Sequence, residues 1–328
     1  MANFALRYDL RCPPFGEADH QALYRAALDQ CEWADKLGFV SVTLSEHHGS
    51  PDGYLPSPLV FGGAVAERTR NMRLTLAALI SPLHDPLRLA EDVAVLDVLS
   101  GGRVIPIFSG GYVESEFEAF GKKLSDRARL MDAIVPFMQQ AWTGEPFEHE
   151  GRTVRCTPRP VQSPRPPILL GGASAPAARR AARLADGFMP TVPAVHDYYR
   201  EECVKLGKPD PGPMTPTFGS FLHVTKDPDA DWERLAPYAM HEMNAYGQWA
   251  AESGSTTGYR PISDPDELRA TGMYPVMTPE QVIEKARELG PEVGILLHPL
   301  MGGTDPDLAW ESLHLVESEV LPALRHHT

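Results

Sequence analysis

Eight short apolar runs alternate with amphipathic stretches along the chain. They are FALRYDL (4–10), FVSVTL (39–44), LTLAALI (74–80), RVIPIF (103–108), ILLGG (168–172), GFMPTV (187–192), TFGSFLHVT (217–225) and VGILLHP (293–299). Short, nearly unbroken hydrophobic runs are the pattern of strands buried on both faces, as in a parallel sheet covered by helices. The stretches between them read as helices. QALYRAALDQCEWADKLG puts Tyr24, Ala27, Leu28, Cys31, Ala34 and Leu37 on one face and stops at Gly38. Asp85 and Thr278 each precede a proline suited to a first helical turn, and Gln281 stands where it completes a capping box with Thr278. Eight strands alternating with helices over 328 residues predict an α/β fold, a single (β/α)8 TIM barrel spanning 1–328. A doubly wound open sheet is the alternative.

Two connections exceed ordinary length. Residues 143–166 read as an inserted hairpin with a proline-stiffened return. Residues 245–277 have a Gly/Ser/Thr-rich centre and carry Trp249, Tyr259 and Tyr274. A loop of that length is a lid or a disordered segment, and the aromatics favour a lid that closes over a ligand. Composition then narrows the partners. A net charge of −14 argues against nucleic acid and anionic membrane as partners. Cys12, Cys31, Cys156 and Cys203 are scattered, which suits free thiols in a reducing compartment. No leader-like start or membrane-spanning run is evident, so a cytoplasmic location is expected.

Candidate chemistry concentrates where apolar runs end. In FVSVTLSEHH, Val40, Val42 and Leu44 share one strand face, while Ser41, Thr43, Ser45 and His47 share the other. With the apolar face under helices, His47 emerges at the C-terminal mouth, where barrel sites are built. Glu46 and His48 take the opposite parity and read as its supports. Adjacent strand residues diverge, so this trio is not expected to converge on a metal. ILLGGASAP ends a strand in Gly171-Gly172 and starts a helix through Ala173 and Ser174. Free N–H groups and the helix dipole there suit an anion, although such a turn alone does not prove one. Arg127 and Arg129 are open to the same reading or to a surface one. Ser109 and the Ala77-Ala78 pair supply small side chains that either admit a planar ligand or pack tightly.

The segments LGFVSVTLSEHHGSPDGYLPSP, LISPLHDPLRLAEDVAVLDVLSGGR, GGYVESEFEAFG, AWTGEPF, TPRPVQSPRPPILLGGASAPAARRAARLADG and TPEQVIEKA together resemble the bacterial luciferase superfamily, the luciferase-like flavin monooxygenases. The resemblance runs from about residue 4 to 325. It implies a (β/α)8 barrel, commonly a homodimer, that takes reduced FMN from a separate flavin reductase and acts with oxygen on a small organic substrate, plausibly a carbonyl compound. The deazaflavin coenzyme, used for hydride transfer, is the alternative, and a non-catalytic flavin-binding protein or a metal-dependent hydrolase are further ones. By resemblance, His47 is the acid–base residue beside the flavin, and Ala77-Ala78 is a non-prolyl cis pair against its ring. Gly172, Ala173 and Ser174 would hold the phosphate, with either Arg127 or Arg129. Glu116 matches an acidic residue that influences flavin binding. The sequence departs from luciferase itself at Ser109, in place of a reactive cysteine, and at Gly110, in place of an arginine. Gly49, where many relatives carry a bulky aromatic, is expected to enlarge the pocket.

Overall fold

Each of the eight apolar runs forms a strand in the computed structural model, which describes residues 2–254 and 258–325. In chain order the strands are β1 (Asn3–Tyr8), β2 (Ser41–Leu44), β3 (Arg73–Ile80), β4 (Val104–Ser109), β5 (Phe147–His149), β6 (Arg152–Val154), β7 (Leu169–Gly172), β8 (Gly187–Pro190), β9 (Thr217–Val224), β10 (Val276–Met277) and β11 (Gly294–Leu297). The helices of eight or more residues are α1 (His20–Lys36), α2 (Pro58–Arg68), α3 (Pro86–Ser100), α4 (Arg127–Ala141), α5 (Ala175–Leu184), α6 (His196–Lys205), α7 (Pro228–Ser253), α8 (Pro279–Leu289) and α9 (Pro306–Leu315).

The chain divides into two units, each discontinuous in sequence. The first comprises Met1–Thr43, Ser50–Leu55 and Thr215–Thr328; the second comprises Leu44–Gly49 and Pro56–Met214. In the first, β10, β9, β11 and β1 lie in that order, every neighbouring pair parallel. In the second, β3, β4, β7 and β8 run parallel in sequence order. The segment 143–166 contains an antiparallel pair, β5 with β6.

Local chemistry explains the boundaries. The Asp85 carboxylate accepts from the N–H groups of Leu87 and Arg88, and Thr278 with Gln281 forms a full capping box. Helix α1 stops before Gly38, whose φ of +78° reverses the chain at little cost. Its buried face is rotated from the expected one. Leu23, Ala27, Gln30 and Ala34 form the stripe, while Tyr24, Leu28 and Leu37 are only half-buried. The polar Gln30 was the misleading residue: it is inside because the buried Tyr8 hydroxyl donates to its side-chain oxygen at 2.8 Å. Val40 also departs from expectation. It precedes β2 and is 42% exposed, whereas Val42 and Leu44 are fully buried.

The long segment 245–277 is more ordered than a loop. Helix α7 runs on to Ser253, Pro265–Ala270 is a further short helix, and Val276 pairs with His223 of β9. Tyr274 is in the core, stacked on Phe221 with ring centres 4.7 Å apart, and so is not poised over a ligand. The Gly/Ser/Thr-rich centre of the expected lid, at 255–257, lies outside the described residues. Among the described residues, no helix is long and apolar enough to cross a membrane.

Candidate functional site

The richest group of sequence-predicted residues lies within the second unit, at the ends of its strands. Leu44 ends β2 in the core, and Ser45, Glu46 and His47 follow it, all buried. Strand parity carries through the turn. His47 goes one way, its Nδ1 donating to Glu116 Oε1 at 2.8 Å, and the His48 backbone N–H reaches the same oxygen at 2.7 Å. Glu46 and His48 go the other way and bond each other, His48 Nε2 to Glu46 Oε1 at 2.8 Å.

Glu46 is the most heavily used carboxylate of the group. His84 Nε2 donates to its Oε1 at 2.7 Å, and the Ile80 N–H donates to its Oε2 at 2.8 Å. Burial alone would push its pKa up. The bonds from His48 and His84, the charge on His84 and the Ile80 N–H outweigh that and hold it at about 2. Glu46 is therefore ionised and fastens the histidine segment to the end of β3. Two residues before Ile80, the Ala77–Ala78 peptide bond is cis.

The small residues fall together. A Cβ on Gly171 would stand 3.4 Å from Ile107 Cγ2, 3.7 Å from Ser109 Cβ and 3.8 Å from Ala78 Cβ, so the small side chains at the ends of β3, β4 and β7 come together beside Ile107. That leaves a surface a flat ring can approach. Gly172 is required where it is, since a Cβ there would lie 2.6 Å from Ala177 Cβ. Ser174 caps α5, its side chain accepting from the Ala177 N–H, and Pro176 sits in the first turn. The remaining N–H groups at that helix start, with the dipole behind them, suit a phosphate. The two arginines separate. Arg127 packs beside Gly110, with its Cδ 3.8 Å from where a Cβ would stand. Arg129 is largely exposed and lies 3.8 Å from Asp126.

Sequence reasoning missed His84, Tyr112 and Phe120. Tyr112 meets the His47 ring edge-on at 5.6 Å and Phe120 meets His48 at 4.7 Å. His84 had a signal: a histidine in the turn after β3, at the same level as the histidine pair after β2. No metal-type cluster forms in the second unit among the described residues. The group whose ligand atoms lie within 4.8 Å of one another is Asp9, Glu242 and His298, in the first unit.

Comparison with known proteins gives a consistent picture. The model of the luciferase-like monooxygenase family matches residues 12–295. The chain is 28% identical over 155 residues, 45% of its length, to the oxygenase component of the flavin-dependent trigonelline monooxygenase of Acinetobacter baylyi, spanning 43% of that protein. In general it spans about half the length of the curated relatives it matches. Among solved structures, the monooxygenase RslO1 of Streptomyces bottropensis superposes with a TM-score of 0.76 at 24% identity, over 98% of this chain and 99% of that one. The oxygenating constituent of 3,6-diketocamphane monooxygenase from Pseudomonas putida, solved with FMN, gives 0.72 at 19% identity over 98% and 99%. An F420-dependent secondary alcohol dehydrogenase gives 0.67 at 19% identity over 99% of each. These likenesses show the fold to be that of luciferase-like TIM-barrel monooxygenases, in keeping with the (β/α)8 pattern of strands and helices and with the family resemblance.

Proposed function

The chain belongs to the luciferase-like monooxygenase family, and from that premise we propose that it is a flavin-dependent monooxygenase that oxidises a small organic substrate, plausibly a carbonyl compound, with reduced FMN and O2. The observation that carries the reading is the bond from the Ile80 N–H to Glu46. It ties the His47 segment to the strand holding the cis Ala77–Ala78 bond. Ala78, Ser109 and Gly171 form a small-residue floor that accepts a flat ring, and the Gly172–Ser174 turn, with Arg127, would receive the phosphate. Reduced flavin supplies the activation of oxygen; the protein contributes placement and proton handling.

His47 carries the proton. Glu116 fixes its ring through Nδ1, so the exchange takes place at Nε2. His48 and His84 are anchored on Glu46 and serve to hold the segment in place. The trigonelline enzyme is named an oxygenase component, and by analogy a separate reductase would supply reduced FMN. Two further features fit a homodimer: Val60 of α2 is 77% exposed, and Val95, Val98 and Leu99 are exposed on α3, which packs against α2. A monomer by light scattering at micromolar concentration would remove that part.

The test is an anaerobic titration with reduced FMN and, separately, with reduced deazaflavin, followed by oxygen. Tight binding of reduced FMN and oxygen-dependent product are expected. Oxidation of the deazaflavin alone, without oxygen, would instead make the protein a dehydrogenase or reductase. In the same assay His47→Ala should lose about 100-fold in coupled turnover while FMN affinity changes little. Unchanged turnover would remove His47 from its role.

A further inference from the structure

The first unit holds a second buried polar group that the proposed function has not used. Arg7 lies in β1, and Asp9 and Arg11 follow it at two-residue spacing. His298 comes directly after β11, which pairs with β1 in parallel register, so both strands bring these residues to their C-terminal ends. Glu242 joins them from the buried face of α7. One ligand atom from each of Asp9, Glu242 and His298 lies within 4.8 Å of the other two, and all three residues are buried.

Most of these donors lack partners. Among the described residues, neither oxygen of Glu242 and neither ring nitrogen of His298 makes a hydrogen bond, and Asp9 Oδ2 makes none either. His298 Nε2 stands 3.4 Å from Asp9 Oδ1, close but not bonded. Asp9 Oδ1 is in use: it accepts from the Arg11 backbone N–H at 3.3 Å. Carboxylates and an imidazole buried without partners are costly, and so many in one place call for an occupant that bonds them.

Size narrows the occupant. None of the open atoms presents surface that a water molecule could touch, and an organic molecule has still less room. A bare metal ion needs no such surface, because it sits between its ligands at about 2.0–2.2 Å from each. Donors on one such ion stand about 3–4 Å apart, so atoms already inside 4.8 Å reach it with shifts of about 1 Å or less.

The donor types narrow the ion. Two carboxylates and one imidazole, with no thiolate, suit Mn2+, Fe2+ or Zn2+ better than Ca2+ or Mg2+, which prefer oxygen alone. Asp9 and Glu242 balance the charge of one such ion, with His298 as a neutral ligand. The nearby cations have other partners. Arg11, whose Nε is 3.5 Å from Asp9 Oδ2, donates through Nη1 to Asp52 at 2.6 Å, and Asp52 also bonds His241 Nε2 at 2.7 Å. Arg7 Nη2 donates to the Tyr246 hydroxyl at 3.1 Å. Two guanidinium groups still repel a metal ion, so binding of micromolar rather than nanomolar strength is expected.

We propose that Asp9, Glu242 and His298 form a closed site for one divalent transition-metal ion, Mn2+, Fe2+ or Zn2+, which clamps α7 to the ends of β1 and β11. Because its ligand atoms are shut off from water, the ion has no open position and acts on stability rather than on the oxidation. The proposal therefore stands independently of the function proposed above.

The test uses the full chain without flavin, stripped with EDTA and then incubated with Mn2+ or Zn2+. The EPR signal of free Mn2+ should fall until one equivalent per chain is bound. Either ion, at about a hundredfold excess over its Kd, should raise the unfolding temperature by about 3–5 °C. Bound Mn2+ should leave the relaxation of bulk water protons nearly unenhanced, since no water reaches the ion. Glu242→Gln and His298→Ala should each weaken Mn2+ by about 100-fold or more and remove the thermal shift. His84→Ala, in the other histidine group, should keep both. Failure of both ions to bind would overturn the proposal, as would binding that persists in folded Glu242→Gln and His298→Ala or is lost in His84→Ala. Strong enhancement of water-proton relaxation would overturn the closed site. If neither variant folds, stoichiometry and relaxation on the unaltered protein decide alone.

Discussion

Two buried groups of carboxylate and histidine, one in each unit, are made from the same side chains and are bonded in opposite ways. In the second unit Glu46 accepts from His48, His84 and the Ile80 N–H, and Glu116 accepts from His47 and the His48 backbone through Oε1, with only its Oε2 lacking a hydrogen bond among the described residues. In the first unit Glu242 and His298 make no hydrogen bond among the described residues. A satisfied carboxylate fixes geometry, because each bond removes a rotamer its partner could adopt. An unsatisfied one in the core costs stability, because the hydrogen bonds it made with water are not replaced. Burial and residue type do not tell the two apart; partner count does.

The sharpest way to break this comparison is to put leucine in place of each glutamate. Glu46→Leu strips three donors of their acceptor and should cost about 3–5 kcal/mol in urea unfolding. Glu242→Leu removes a buried carboxyl that bonds nothing in the described structure. Without ligand it should fall within about 1 kcal/mol of neutral, or stabilise. Equal losses in both variants would mean that Glu242 has partners of its own, and the contrast would collapse.

Acid separates the two next. The Glu46 pKa lies near 2 when folded, below its ordinary 4.5. Its contribution is therefore complete above about pH 4.5 and is lost as pH falls toward 2. The shift corresponds to roughly 3 kcal/mol. Unfolding midpoints at pH 6, 4 and 3 should show that fall in the unaltered protein and a shallower one in Glu46→Gln. Parallel curves would mean the histidine bonds do not hold the carboxylate ionised. Glu242 shifts in the other direction, upward, so its contribution grows as pH falls toward 4.5 and partly offsets the early loss from Glu46.

The satisfied group was legible in the sequence and the unsatisfied one was not, for a physical reason. His47, Glu46 and His48 are adjacent, so strand parity alone assigns them to opposite sides. The eight strands were legible because a strand covered on both faces must be apolar nearly throughout. Asp9, Glu242 and His298 are brought together only by the register of β1 on β11 and by the docking of α7, which no local pattern encodes. Two faint signals existed. Arg7, Asp9 and Arg11 recur at a spacing of two, as if a strand were charged on one face. Glu242 also interrupts the buried helical stripe of Leu235, Ala239 and Tyr246. A charge in an apolar stripe is a stronger lead than one in a loop, since burial must be compensated.

Gly49 gives the smallest effect and tests how firmly the satisfied group is held. Its missing side chain read as extra room for a ligand. In the structure its φ is +66°, and no atom lies within 4 Å of where a Cβ would stand. The glycine thus answers a backbone need as well as leaving space: the turn after His48 takes a left-handed conformation that an L side chain resists. Gly49→Ala should therefore cost about 1 kcal/mol of stability through backbone strain alone, with no clash to relieve. Because Glu46 and Glu116 hold His48 by its ring and its backbone N–H, the strain should stay local, and FMN affinity should change less than twofold. A larger loss of affinity would show that the turn at Gly49, and not the carboxylates, sets the position of the histidines.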